Sequence, residues 1–294
     1  LENIKQVIMS TEVAKAKDFF AQNSVRAKFE ELLGKRSSAF ITTVLQVVNN
    51  NDLLKKADPT TVYNAAAVAA TLDLPVNPSL GFAYIVPYGG QAQFQMGYKG
   101  LIQLAQRSGQ YKTIGVSEVY ENQIDEINFI TKEVKFKNVR GEGKVAGFYA
   151  WFSLLNGFEK AMYMSRDEME SHAKKYSQMY KRGKGIWAEG EDGFTSMGKK
   201  TVLKLLVGRF GPMSIEMQKA IQTDQGVIKD DTGEQVEYMD NQAIDLHKEA
   251  DRALAMISDC TKAEELEAIK SQTDVDVFAI IEDEYNAKMK EVSK

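Results

Sequence analysis

Residues 95–112 read QMGYKGLIQLAQRSGQYK and carry Lys99, Arg107 and Lys112 with no acid among them. Cations without carboxylates and a glycine pair, Gly97 and Gly100, are the raw material of a phosphate-binding surface. A helix through the stretch places Lys99, Gln103, Gln106, Arg107 and Gln110 within an arc of roughly 100°. Tyr98, Leu101, Ile102, Leu104 and Ala105 then face a core. A solvated amphipathic helix gives the same pattern, so the stretch alone does not decide. A nucleotide-binding loop of the Walker type needs four spacers and then Gly-Lys-Ser/Thr, which GYKGLIQ lacks. A Gly-x-x-Gly backbone clamp of the RNA-binding kind needs a smaller helix–strand unit than the one surrounding it.

Two further basic windows accompany this one. Acids are absent from the 44 positions between Asp73 and Glu118, from 171–188, and from 193–215. The second window holds Lys174, Lys175, Lys181, Arg182 and Lys184, interleaved with Tyr176, Tyr180 and Trp187. The third holds Lys199, Lys200, Lys204 and Arg209. Lysines on a solvated helix normally alternate with acids, so three such windows point to one electropositive surface and a phosphate backbone as its counter-charge. Lys200 and Lys204 form a narrow polar stripe on a helix otherwise ringed by Val202, Leu203, Leu205, Leu206, Val207 and Phe210. A half-buried lysine pair needs neutralising, by a distant acid or by an external phosphate. The external phosphate is the expectation taken forward. Aromatic residues between the lysines either stack on bases or anchor the helix in a core.

Other chemistries have weaker support. Asp125 followed by Glu133-Val134-Lys135 echoes a metal-dependent nuclease, but alternation with Ile130, Val134 and Phe136 reads as an exposed hairpin. One cysteine, Cys260, and two distant histidines, His172 and His247, do not make a zinc site or a disulfide framework. No apolar run approaches the ~20 residues of a spanning helix, and the start does not resemble a secretory signal. The expectation is a protein of a reducing cytoplasm with no membrane partner, no cofactor and no catalytic centre.

Net charge is −4 over 294 residues, yet unevenly spread. From Asp224 onward there are 19 acids against 8 bases, leaving 29 bases against 22 acids before it. This divides the chain into a basic body, residues 1–222, an acidic linker over 223–242, and a small acidic helical domain over 243–294. Within the body, 10–55 and 59–72 read as helical, and FAYIVPY and AQFQMG joined by GGQ as a hairpin. β-rich segments follow to residue 164, with Asn156-Gly157 as a turn and Ser165/Glu168 at capping-box spacing before the next helix. The class is α+β, an antiparallel sheet with a β-hairpin packed by helices.

In order along the chain, LPVNPSLGFAYIVPY, QMGYKGLIQLAQRSGQ, GKVAGFYAWFSL, the tryptophan at 187 and MGKKTVLKLL resemble the RecT family of phage-type single-strand DNA annealing proteins. The resemblance covers about residues 40–215. It implies an ATP-independent protein that binds single-stranded DNA, anneals complementary strands and assembles into rings or helical filaments with DNA in a basic groove. It also implies the fold of other annealing proteins, a hairpin-containing sheet backed by helices. The family's basic positions fall on Lys99, Arg107, Lys199, Lys200 and Lys204; Lys181, Arg182 and Lys184 lie where the family varies. By the same analogy the C-terminal domain contacts a host single-strand binding protein or a phage exonuclease.

Overall fold

The computed structural model describes residues 16–128, 130–183, 185–188, 190–230, 232–238, 246–260, 263–273 and 275–292. The chain forms two compact units, one up to residue 239 and one from residue 240.

The first unit begins with helices: α1 (described over 16–21), α2 (Asn23–Leu33), α3 (Ser37–Asn49), α4 (Asp52–Lys55) and α5 (Pro59–Thr71). Asp58 accepts from Thr60 N–H and Pro59 occupies the first helical turn, a start signal legible in the sequence. Alanines 65–67, 69 and 70 are all buried, so α5 runs through the core with close neighbours on every side. Phe20, Phe29, Phe40 and Tyr63 interlock α1, α2, α3 and α5 by ring contacts of 5.6–6.5 Å.

β1 (Ala83–Tyr88) and β2 (Gln91–Met96) form the expected hairpin. Its turn residues Gly89 and Gly90 have φ of 54° and 78°, the left-handed pair that matches strand twist. After α6 (Tyr98–Arg107) comes an antiparallel sheet of order β3–β6–β7, from β3 (Tyr111–Tyr120), β6 (Val145–Leu154) and β7 (Glu159–Ser165). The small hairpin β4 (Ile124–Ile127) and β5 (Val134–Phe136) interrupts the meander between β3 and β6. The Ser165/Glu168 capping box is present at the start of α7 (Arg166–Tyr176), with α8 (Gln178–Lys181) after it.

α9 (Gly190–Phe210) crosses the inner face of that sheet. The crossing is close because Gly198 stands where a Cβ would come within 2.5 Å of the Phe148 ring. Phe148, Ala150 and Phe152 of β6 meet Val202, Leu203, Leu206 and Val207 in one hydrophobic core.

The acidic stretch read as a linker behaves differently over its first sixteen residues. α10 (Ile215–Thr223) leads into β8 (Val227–Ile228), which pairs with β9 (Val236–Glu237). Thr223, Val227 and Ile228 are fully buried, Gly226 bridges to Phe94 of β2, and Asn64 of α5 donates to the Ile228 carbonyl. Residues 223–238 therefore belong to the first unit; 239–245 lie outside the described residues. Composition misled here because acids in this stretch serve the local fold: Asp230 accepts from three backbone N–H groups and shapes the β8–β9 turn.

The second unit contains α11 (Leu246–Asp259), α12 (Ala263–Gln272) and α13 (Val275–Val292). Ala250, Ile257, Leu266, Val277, Ile281 and Tyr285 make its separate core, with Cys260 buried beside them.

Gly198→Ala forces either α9 or the Phe148 ring to move. We expect a loss of about 1–3 kcal/mol of stability in urea unfolding, without loss of secondary structure. An unchanged midpoint would mean that helix and sheet are not held at this spacing.

Candidate nucleic-acid interface

The glycines of the opening stretch have an internal purpose. A Cβ on Gly97 or Gly100 would lie 2.2 Å from the carbonyl oxygens of Gly81 and Phe82, respectively. Gly97 N–H also donates to the Phe82 carbonyl at 2.9 Å. The backbone brought close to the start of α6 is the protein's own, at the entry to β1.

Of the cations on α6, Lys99 is exposed and has no ion-pair partner among the described residues. Arg107 is committed: its guanidinium donates to the carbonyls of Leu72 and Asp73 at 2.9 and 3.1 Å. It thereby satisfies the C-terminal end of α5, where cations are favoured by the helix dipole. Lys112, at the start of β3, is exposed. The Tyr111 hydroxyl beside it donates to the Pro212 carbonyl, which brings the start of β3 to the end of α9, where Arg209 is exposed.

The lysines of α9 differ sharply from the expectation. Lys200 is buried and its Nζ lies 2.7 Å from Asp224 Oδ1; Lys204 Nζ lies 2.9 Å from Asp224 Oδ2. Asp224 Oδ1 also accepts from the Met96 N–H at 2.9 Å. The carboxylate nearest this pair is thus a distant acid of the chain itself, one for two lysines. Two lysines and the hydrogen bonds outweigh burial and hold the Asp224 carboxyl below its ordinary value. Burial pushes Lys200 down to about 8, helped by Lys204 and only partly offset by Asp224. Lys199 turns the other way, 2.9 Å from Glu118 of β3 and 5.4 Å over the Tyr98 ring, fastening α9 to β3 and α6.

The second basic window also divides. Trp187 is buried, packed edge-on against Phe194 at 5.3 Å and near Tyr180 at 6.0 Å, so it anchors the core and offers no ring to a base. Lys181 is exposed, Arg182 is half-buried, and Lys184 lies outside the described residues. Glu118, Asp224 and the Arg166–Glu191 pair between α7 and α9 went unnoticed in the sequence. Their ion-pair partners are 20 to 81 positions away, and nothing local marks them.

On the β4–β5 hairpin Lys135 pairs with Glu126, and the strand register sets Glu126, not Asp125, opposite Lys135. Among the described residues no three His, Cys, Asp or Glu side chains gather in a metal-binding group. None of the described helices is long and apolar enough to cross a membrane.

Exposed cations on α6, β3 and α9 of an α+β core, with the inner lysines paired to the chain's own carboxylates, are the kind of surface polyanion-binding proteins present. A family model described as the RecT family matches residues 38–251, and the chain belongs to that family. It is 39% identical over 269 residues to YqaK of Bacillus subtilis (strain 168), covering 91% of this chain and 88% of the relative. It is 27% identical over 223 residues to RecT of Escherichia coli (strain K12), covering 70% and 79%. Membership carries DNA binding, single-strand annealing and DNA recombination. The match runs past residue 215 and takes in Asp224, in agreement with the packing of that segment against α9 and β2.

Asp224→Asn leaves two lysines facing each other without a carboxylate. We expect a loss of about 3–5 kcal/mol in denaturant unfolding. Asp224 contributes fully above its ordinary value of 3.8, and its contribution is lost as pH falls beneath that value. Lys200 has the same sign in a different window: between about 8 and 10.5 the unfolded chain binds more protons, so stability from this group also rises with pH. Lys200→Met, which leaves a one-to-one Lys204–Asp224 pair, should abolish that rise. Its persistence would assign the alkaline dependence to another group.

Proposed function

We propose that this protein anneals complementary single strands without ATP, as an oligomer, holding one strand by its backbone along exposed cations. Lys99, Lys112, Lys181 and Arg209 are the residues assigned to phosphates. The observation that carries this is the acid-free window 74–117, which supplies Lys99 and Lys112 to the surface with no ion-pair partner among the described residues. Phosphate contacts position a strand and carry no sequence information, so base pairing does the reading and the protein has no sequence preference. The protein itself makes and breaks no covalent bond and requires no cofactor. It acts in the bacterial cytoplasm as a ring or filament, and its acidic second unit engages a protein partner, either a host single-strand binding protein or a phage exonuclease.

With about 4 phosphates neutralised per protomer, one for each of these cations, log K should fall with log salt at a slope near −3, roughly 50-fold between ~50 and ~200 mM. Charge reversal at Lys99, Lys112 or Arg209 should weaken all oligonucleotide sequences alike and flatten that slope by about 0.7 for each phosphate no longer neutralised. Equilibrium binding across a salt series, with an annealing assay in the presence and absence of ATP, checks both. A salt-independent affinity, or cleavage of labelled strands in Mg²⁺ in place of annealing, would overturn the reading.

A further inference from the structure

The sheet β3–β6–β7 has a second face, turned away from α9. Alternation along β6 sends Phe148, Ala150 and Phe152 inward and Tyr149, Trp151 and Ser153 outward. Across the strands, Trp151 lies opposite Gly115 on one side and Ala161 on the other. The indole occupies the space that a side chain at Gly115 would fill; a Cβ there would come within 2.4 Å of the ring. The neighbouring strands are thus cleared of bulk around this one residue.

Covering a strand glycine accounts for the position of the indole but not for its accessibility. Trp151 remains 37% exposed, although it sits in the middle strand of the sheet. Tyr149 lies beside it with ring centres 5.9 Å apart and planes at 26°, and Phe136 of β5 closes edge-on against Tyr149 at 4.9 Å. Together they line an open groove of about 700 Å³. Its floor includes the Thr113–Ser153 hydroxyl pair at 2.7 Å. Glu133 and Glu159 balance Lys137 and Lys160 along the groove, and Glu118 is already engaged by Lys199.

We propose that this groove is a stacking platform for unpaired nucleobases of the bound single strand, with Trp151 and Tyr149 as its surfaces. The proposal rests on the annealing function above and deepens it. Flat aromatic faces with neutral hydroxyls beside them suit any base, because every base has a π-face. Balanced charge around the groove means that phosphates are held elsewhere, so this contribution is insensitive to salt. A duplex hides its base faces, so the platform favours single strands over annealed product.

The test uses the full chain and an oligo-dT ligand. The chain has two tryptophans, and Trp187 is buried, so oligo-dT should quench emission in the native protein and not in Trp151→Phe. Trp151→Ala should weaken oligo-dT binding about ten-fold with an unchanged salt slope, while Trp151→Phe keeps most of the affinity. Circular dichroism confirms that both variants fold. Equal affinity in Trp151→Ala, or quenching that survives in Trp151→Phe, overturns the platform. So does a change of Trp151 emission with protein concentration in the absence of DNA, which assigns the face to a contact between copies. If the native protein neither binds nor anneals, the annealing function itself fails; binding and annealing indifferent to Trp151 remove the platform alone.

Discussion

One buried carboxylate ties β2 to α9 in the first unit. Asp224 is 2% exposed and receives the Met96 N–H of β2 and the ammonium groups of Lys200 and Lys204 on α9. Burying a charge is costly unless it is paired and hydrogen-bonded, and here three groups from two elements converge on it. Its location just after α10 obliges the chain to return to the core after α9. That return is what lays β8 beside β2, sets Gly226 against Phe94 and brings Ile228 to Asn64 of α5. The hairpin, the central helix and the sheet-crossing helix are joined through this point.

The same constraint sorts the cations. A lysine whose charge is satisfied internally has little attraction left for a phosphate, whereas one that is exposed and unpartnered keeps it. Lys200 and Lys204 share Asp224, Lys199 has Glu118, and Arg107 caps α5; these four order the fold around the surface. Lys99, Lys112 and Arg209 remain at the surface on the flanking elements. Charge-rich motifs of a DNA-binding family thus include residues engaged within the fold, and a motif's basic character does not by itself place its side chains outside.

What could be read from the sequence follows from the range of the signals. The Gly89-Gly90 hairpin, the Asp58-Pro59 helix start and the Ser165/Glu168 capping box are written within a few residues and stand where expected. The Asp224 clamp was not legible, because its partners are tertiary. An acid-free window counts acids along the chain, and a carboxylate 24 positions after Lys200 does not register in it. The stretch 223–238 failed as a linker for a related reason: a few fully buried residues, Val227 and Ile228 among them, outweigh an acidic average.

Annealing sets conflicting demands on a bound strand. Its backbone must be held, its bases must be kept from folding on themselves, and their pairing edges must stay open to a second strand. Cations alone meet the first demand, since electrostatic attraction leaves the bases free to collapse. A hydrogen-bonding pocket for base edges would meet the second and defeat the third, because it would compete with pairing and impose a sequence. Stacking uses the face of a base and leaves its edge exposed. The platform proposed for the aromatic groove on the sheet face opposite α9 separates these tasks in space, with charge for the backbone and π-surface for the bases. Once a complementary strand pairs, its bases stack in the duplex and withdraw from the aromatic surface, so base pairing itself weakens the hold on that strand.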